Sequence, residues 1–136
     1  MKIIIIDGQG GKMGKAIVEQ LKKSLPECEL IALGTNSIAT SAMLKAGADI
    51  GATGESPVIF NCAGADIIIG PLAIVIANSL WGEISPAMAQ AVGQSKAHKI
   101  LIPVNRCNNT VVGIKELSLN EYIQLAVQQV RQIIEE

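Results

Sequence analysis

The sequence predicts an α/β domain of three layers, a mostly parallel sheet of about five to six strands with helices on both faces. Three observations carry that expectation. Short apolar runs rich in β-branched residues, such as Ile3 to Ile6, have the pattern of central strands covered on both sides. Between such runs lie segments whose apolar residues recur with the period of a helix. The two patterns alternate along the chain, which implies parallel strands joined by right-handed crossovers.

Residues 2 to 6 open the series as a strand. From Lys12 the pattern turns helical: Met13, Ile17, Leu21 and Leu25 fall four apart, Lys15, Glu19, Lys22 and Lys23 lie between them, and Pro26 is the stop. "ELIALG" (29 to 34) reads as the second strand, and residues 37 to 48 as a helix that opens on Ser37 and closes at Gly47. Weak strand character follows at 49 to 53, and Ser56-Pro57 marks the start of a short helix ending near residue 63. "ADIIIG" (65 to 70) is a strand, and Leu72 to Trp81 reads as a helix apolar on nearly every side, buried centrally or packed against a second subunit. Ser85-Pro86 opens a further helix, "KILIPV" (99 to 104) a further strand, and "TVVGI" (110 to 114) reads as an edge strand. Ser118 with Glu121 is a capping box, and Ile123, Val127, Val130 and Ile134 line one face of the terminal helix. With no repeat or linker, residues 1 to 136 are expected to form one domain.

Composition narrows the function classes. The chain is 49% hydrophobic and 17% charged, which is globular and leaves room for a buried subunit interface, so a homodimer through Leu72 to Trp81 is expected. Eleven basic and twelve acidic residues nearly cancel without a dense Lys/Arg cluster, and the aromatics are only Phe60, Trp81 and Tyr122, so no nucleic-acid partner is expected. Cys28, Cys62 and Cys107 are an odd number without close pairing, which suits a reducing cytoplasm. The apolar stretch after Lys2 is too short for a signal peptide, and Gly70-Pro71 and Asn78-Ser79 interrupt the longest apolar run, so neither export nor a membrane span is expected.

In a sheet of this kind ligands bind outside the carboxyl ends of the strands, near the point where strand order reverses. Those ends carry "DGQGGK" (7 to 12), "GTNS" (34 to 37), "ATGES" (52 to 56), "GP" (70 to 71) and "NRCNNT" (105 to 110). The first turn is not a Walker P-loop, because Gly14-Lys15 is followed by Ala16 and Gln9 stands five positions before Gly14. Gly8, Gly11 and Gly14 do match the Gly-x-x-Gly-x-x-Gly variant of the dinucleotide turn, with a strand before it and a helix after it. The expected ligand is therefore a nucleotide or another phosphate-bearing small molecule. Its candidate contacts are Asp7, Gly8, Gln9, Gly10, Gly11, Lys12 and Met13 on the first turn, Thr35, Asn36 and Ser37 on the second, and Asn105 and Arg106 on the last. The second turn lacks the carboxylate that usually holds the NAD ribose, which disfavours NAD and permits NADP.

"GQGGKMGKAIV" resembles the nucleotide turn of the dihydrodipicolinate reductase family, Gly-x-x-Gly-Arg-Met-Gly, with Lys12 at the arginine position. The resemblance covers about the first 25 residues and implies dinucleotide contact by the backbone from Gly8 to Met13. It does not extend to the reaction, since the paired-histidine motif and second domain of those reductases are missing. Across its length the chain is similar to a small bacterial family of proteins classed as a domain of unknown function, through "DGQGGKMGKAIVEQL", "NCAGADIIIGPLAIVIANSLWGEISPAMA" and "IPVNRCNNTVVG". That similarity implies a Rossmann-like fold and no particular reaction.

Several residues have two readings. Cys107, beside Arg106, is either an activated thiol or a small loop residue packed inward. Arg106 suits a phosphate or carboxylate, or a structural ion pair. Glu83 is a general base or a capping and solvated residue, and Asp7 caps its helix, bonds a ribose or helps hold a cation. Asp66 and His98 belong to the opposite edge, and Cys62, Cys107 and His98 lack metal-ligand spacing, so no metal site is expected. Three functional classes follow: a binding or sensor module, a small NAD(P)-dependent oxidoreductase or other nucleotide-using enzyme, and a scaffold subunit.

Overall fold

The computed structural model describes residues 1 to 104 and 108 to 136. Five strands form one sheet, β1 (Ile3–Asp7), β2 (Leu30–Gly34), β3 (Ile50–Thr53), β4 (Ile67–Pro71) and β5 (His98–Ile102), in the order β3-β2-β1-β4-β5 with every pairing parallel. Chain order reverses between β1 and β4, and β1 sits at the centre with all five residues buried. The helices are α1 (Lys12–Ser24), α2 (Ser37–Lys45), α3 (Glu55–Cys62), α4 (Pro86–Gln94) and α5 (Leu119–Glu135).

The pleat divides the isoleucine-rich strands between two cores. Ile3 and Ile5 of β1, Leu30 and Ala32 of β2 and Ile67 and Ile69 of β4 meet α1 and α5 through Ile17, Leu21, Ile123 and Val127. Ile4, Ile6, Leu33 and Ile68 point the other way, onto Val58, Met88 and Val92 of α3 and α4. This alternation at a period of two, with helices on each face, is the three-layer Rossmann-like arrangement. No described helix is long and apolar enough to cross a membrane.

Several elements differ from expectation. Leu72 to Trp81 is not a helix: a short 3-10 turn covers Leu72–Val75, and the chain then follows tight turns to Ile84. The physical reason lies in Asn78, Leu80, Trp81 and Gly82, which all have left-handed φ angles, and in Ser79, whose hydroxyl donates to the Ala73 carbonyl at 2.5 Å. Ala73, Ile74 and Leu80 are buried within the chain itself, so the apolar character of this segment serves the core beneath α4. Residues 110 to 114 are not a strand either; they turn at Gly113 (φ 85°) and leave Val112 exposed.

Two helix starts also move. Asn36 caps α2 by accepting from the Ala39 amide, one residue before the expected Ser37. Gly54 precedes α3, which begins at Glu55 with no side-chain cap, so Ser56-Pro57 falls inside its first turn. Ser85 does cap α4, and the Ser118–Glu121 capping box on α5 forms in full.

Candidate functional site at the carboxyl edge

The first turn is built around Asp7. As the last residue of β1 it is 6% exposed, and its two carboxylate oxygens accept from the Gly8 amide at 2.8 Å and the Gly14 amide at 2.6 Å. Gly14 is the third residue of α1, so Asp7 performs a cap's chemistry from β1 while Gly11, at the N-cap position, has no side chain to offer. Burial raises the Asp7 pKa above the ordinary carboxylate range, the bonds from Gly14 and Gly8 pull it down in part, and the nearby Glu83 charge adds to the rise.

The glycines have distinct tasks. A Cβ on Gly14 would lie 2.5 Å from Met43 Sδ and 2.9 Å from Asp7 Cβ, so this position lets α1 pack tightly on the sheet and on α2. Gly11, at φ 74°, is covered: a Cβ there would sit 2.8 Å from the Ala39 Cα. Gly10 is exposed, with nothing within 4 Å of an added Cβ. Of the positions on this turn, Gly10 is open to a ligand and Gly11 is closed by α2.

Glu83 reaches into this turn from the segment after β4. Its Oε1 accepts from Thr35 Oγ1 at 2.6 Å, the Gln9 amide at 2.8 Å and Asn36 Nδ2 at 2.9 Å. Asn36 Nδ2 also donates to the Gln9 carbonyl at 2.9 Å, tying the first and second turns together. Burial raises the Glu83 pKa, but the hydrogen bonds from Thr35, Gln9 and Asn36 outweigh it and hold the carboxyl below its ordinary range. Close approach of Gly8 makes this possible, because a Cβ there would stand 2.7 Å from Thr35 Oγ1 and 3.0 Å from Glu83 Oε1. Donors from two turns thus converge on one oxygen beside the point where strand order reverses.

Two clefts flank the turn. One of about 620 Å³ runs between α1 and α2 and is lined by Lys15, Ser37, Ile38, Ser41, Ala42 and Lys45. A smaller one of about 230 Å³ is bounded by Lys12, Met13, Val104 and Leu119. The amides of Lys12 and Met13 have no hydrogen-bond partner among the described residues. Neither Lys15 nor Lys45 is in an ion pair there, whereas Lys22 pairs with Asp49 at 2.6 Å.

The structure therefore brings Asp7, Gly8, Gln9, Thr35 and Asn36 together, with Gly10, Gly11, Lys12, Met13 and Ser37 around them. Asn105, Arg106 and Cys107 lie outside the described residues. Glu83, weighed in the sequence as a solvated residue or a base, is the hub of the cluster; its distance of 74 positions from Gln9 hid the contact. His98 is exposed at the start of β5, and Asp66 bonds the Lys2 amide at 2.6 Å, both at the opposite edge. Burial pushes the Cys62 thiol up to about 11, which makes it a packing residue and a poor nucleophile. No group of three or more His, Cys, Asp or Glu among the described residues is arranged to hold a metal ion.

No curated protein matches this chain. Among solved structures it is similar to the crystal structure of a dodecameric FMN-dependent Ubix-like decarboxylase from Escherichia coli O157:H7, at 13% identity and a TM-score of 0.47, covering 100% of this chain and 96% of that one. The model of one family matches residues 2–135, and the chain belongs to that family, the domain of unknown function DUF3842.

Proposed function

We propose that this protein binds a nucleotide or another phosphate-bearing small molecule at the carboxyl edge of its sheet, as a binding or sensor module. The observation that supports this reading is the convergence of the Gln9 amide, the Thr35 hydroxyl and the Asn36 amide group on Glu83 Oε1. Three donors from two loops, aimed at one negatively charged oxygen, are the constellation that receives a phosphate or carboxylate oxygen. Glu83 fills it in the unliganded chain. When ligand binds, the half-exposed Glu83 side chain rotates away and a ligand oxygen takes its donors. The adjoining cleft of about 620 Å³ has the size of a small-ligand site, and Lys15 and Lys45 bring positive charge to it.

Binding without turnover is favoured by how the carboxylates are used. Both oxygens of Asp7 are committed to main-chain amides, and Glu83 Oε1 is saturated by three donors, so neither is poised as a free base.

The test is a thermal-shift panel of NAD, NADP, FMN, ATP, GTP and sugar phosphates on the wild type and on Glu83→Ala. A ligand that binds only the folded chain stabilises it by about 2.7 kcal/mol at a hundredfold excess over its Kd. At least one phosphate-bearing compound should raise Tm, with a larger rise in Glu83→Ala because the internal competitor is gone. No shift in either protein would overturn the proposal.

A further inference from the structure

Trp81 is the chain's one tryptophan, and it is 97% exposed. A side chain of this size normally buries most of its ring, so full exposure forgoes the stabilisation that its burial would contribute. Its backbone is held in an uncommon conformation as well. Leu80 and Trp81 have φ of 54° and 58°, with Asn78 at 64° and Gly82 at 85°. Left-handed φ is unfavourable for bulky residues and persists only where surrounding contacts impose it.

Those contacts are present. The Asn78 amide donates to the Ile84 carbonyl at 2.7 Å, Gly82 to Asn78 at 3.1 Å, Glu83 to Leu80 at 3.1 Å and Ile84 to Ser79 at 3.2 Å. The turn is a closed, clamped structure with Leu80 pressed inward and Trp81 turned out.

Trp81 lies in the chain between two residues that contact the first turn. A Cβ on Gly8 would stand 3.1 Å from Leu80 Cδ1, and Glu83 bonds the Gln9 amide, so the residues on both sides of Trp81 touch the first turn. Three consecutive Cα atoms span at most about 7 Å, the order of the distance from the ring of a nucleotide across its ribose to the first phosphate. Between Ala73 and Ile84 the other exposed residues are Ala77, Asn78 and Gly82. One exposed indole flanked by small and polar residues presents a flat apolar face of the size of one planar ring.

We propose that Trp81 is the stacking platform for the flat ring of the ligand, so that the site selects ring-bearing nucleotides over bare sugar phosphates. This rests on the reading of the carboxyl edge as a ligand site. The ring lies on Trp81, and the phosphate takes the donors of Gln9, Thr35 and Asn36.

Because the chain has a single tryptophan, its emission reports on this position alone. The experiment titrates AMP, NADP and ribose 5-phosphate into the wild type, Trp81→Ala and Trp81→Phe, following emission where tryptophan is present and Tm in all three. Nucleotides should change Trp81 emission saturably and ribose 5-phosphate should not. Trp81→Ala should weaken nucleotide binding about five- to hundredfold, Trp81→Phe should retain most of it, and the thermal shift from ribose 5-phosphate should be equal in all three. Nucleotides that raise Tm equally in Trp81→Ala would overturn the stacking role and leave the ligand site standing. Emission that changes on dilution of the protein alone, with loss of a dimer in Trp81→Ala, would assign the ring to a second copy and also overturn it. No shift with any of the three compounds would overturn both readings.

Discussion

The hydroxyl of Thr35 donates to Oε1 of Glu83 across 2.6 Å, joining residues 48 positions apart and closing the second turn over the first. The contact has two consequences. It holds the Gly8 to Gln9 main chain in place, and it supplies an internal negative charge at a position suited to an external one. Glu83→Ala should accordingly lower stability by about 1–3 kcal/mol, water replacing part of the lost acceptor at this partly exposed position, while strengthening phosphate binding. Denaturant melts and a pyrophosphate titration on the same two proteins measure both effects.

Asp7→Asn should destabilise by about 1–3 kcal/mol at neutral pH, because an amide group can satisfy one of the Gly8 and Gly14 donors and turns its own donors toward the other. Relief of the buried charge, whose penalty outweighs the two amide bonds in setting the carboxyl's raised pKa, offsets part of this loss.

The pH dependence of Asp7 and Glu83 runs in opposite senses. Burial holds the Asp7 pKa above its unfolded value, so the folded chain gains stability from this group as pH falls through the raised pKa. The stability gap between wild type and Asp7→Asn should therefore widen on acidification. The Glu83 pKa is lowered by its donors, so its contribution is present above the unfolded value and is lost as pH falls through the folded one. Melts of the two variants against wild type from neutral to mildly acidic pH separate the trends.

The glycines should differ in tolerance along one turn. Gly11→Ala meets both a left-handed φ of 74° and the Ala39 Cα at 2.8 Å, and should cost several times more stability than Gly10→Ala, where the added methyl meets nothing within 4 Å. Gly10→Asp should fold as well as Gly10→Ala but reduce binding of any phosphate-bearing ligand lying over the turn. Paired measurements of Tm and ligand affinity distinguish a structural loss from a binding loss.

Much of the fold was legible because buried parallel strands and amphipathic helices write themselves in local periodicity: Ile3 to Ile6, Met13 to Leu21 and the Ser118–Glu121 box needed no long-range information. Leu72 to Trp81 misled because a run without charges has no helical face to test, and the hydroxyl of Ser79 and the left-handed residues that break it act through local geometry. The glycine turn was readable as a turn, but its occupant was not. Capping of its own helix by Asp7 was among the readings the sequence allowed, whereas Glu83 belongs to the turn through a contact 74 residues apart, which no spacing rule anticipates.

The most direct measurement of the central claim is an amide shift map by two-dimensional NMR of the nitrogen-15-labelled chain, titrated with AMP and NADP. The account predicts saturable shifts concentrated at Gly8 to Met13, Thr35 to Ser37 and Leu80 to Glu83, with the Gln9 amide among the largest because its acceptor changes from Glu83 to the ligand. Shifts confined to the opposite edge, around Asp66 and His98, or none at all with either nucleotide, would contradict it.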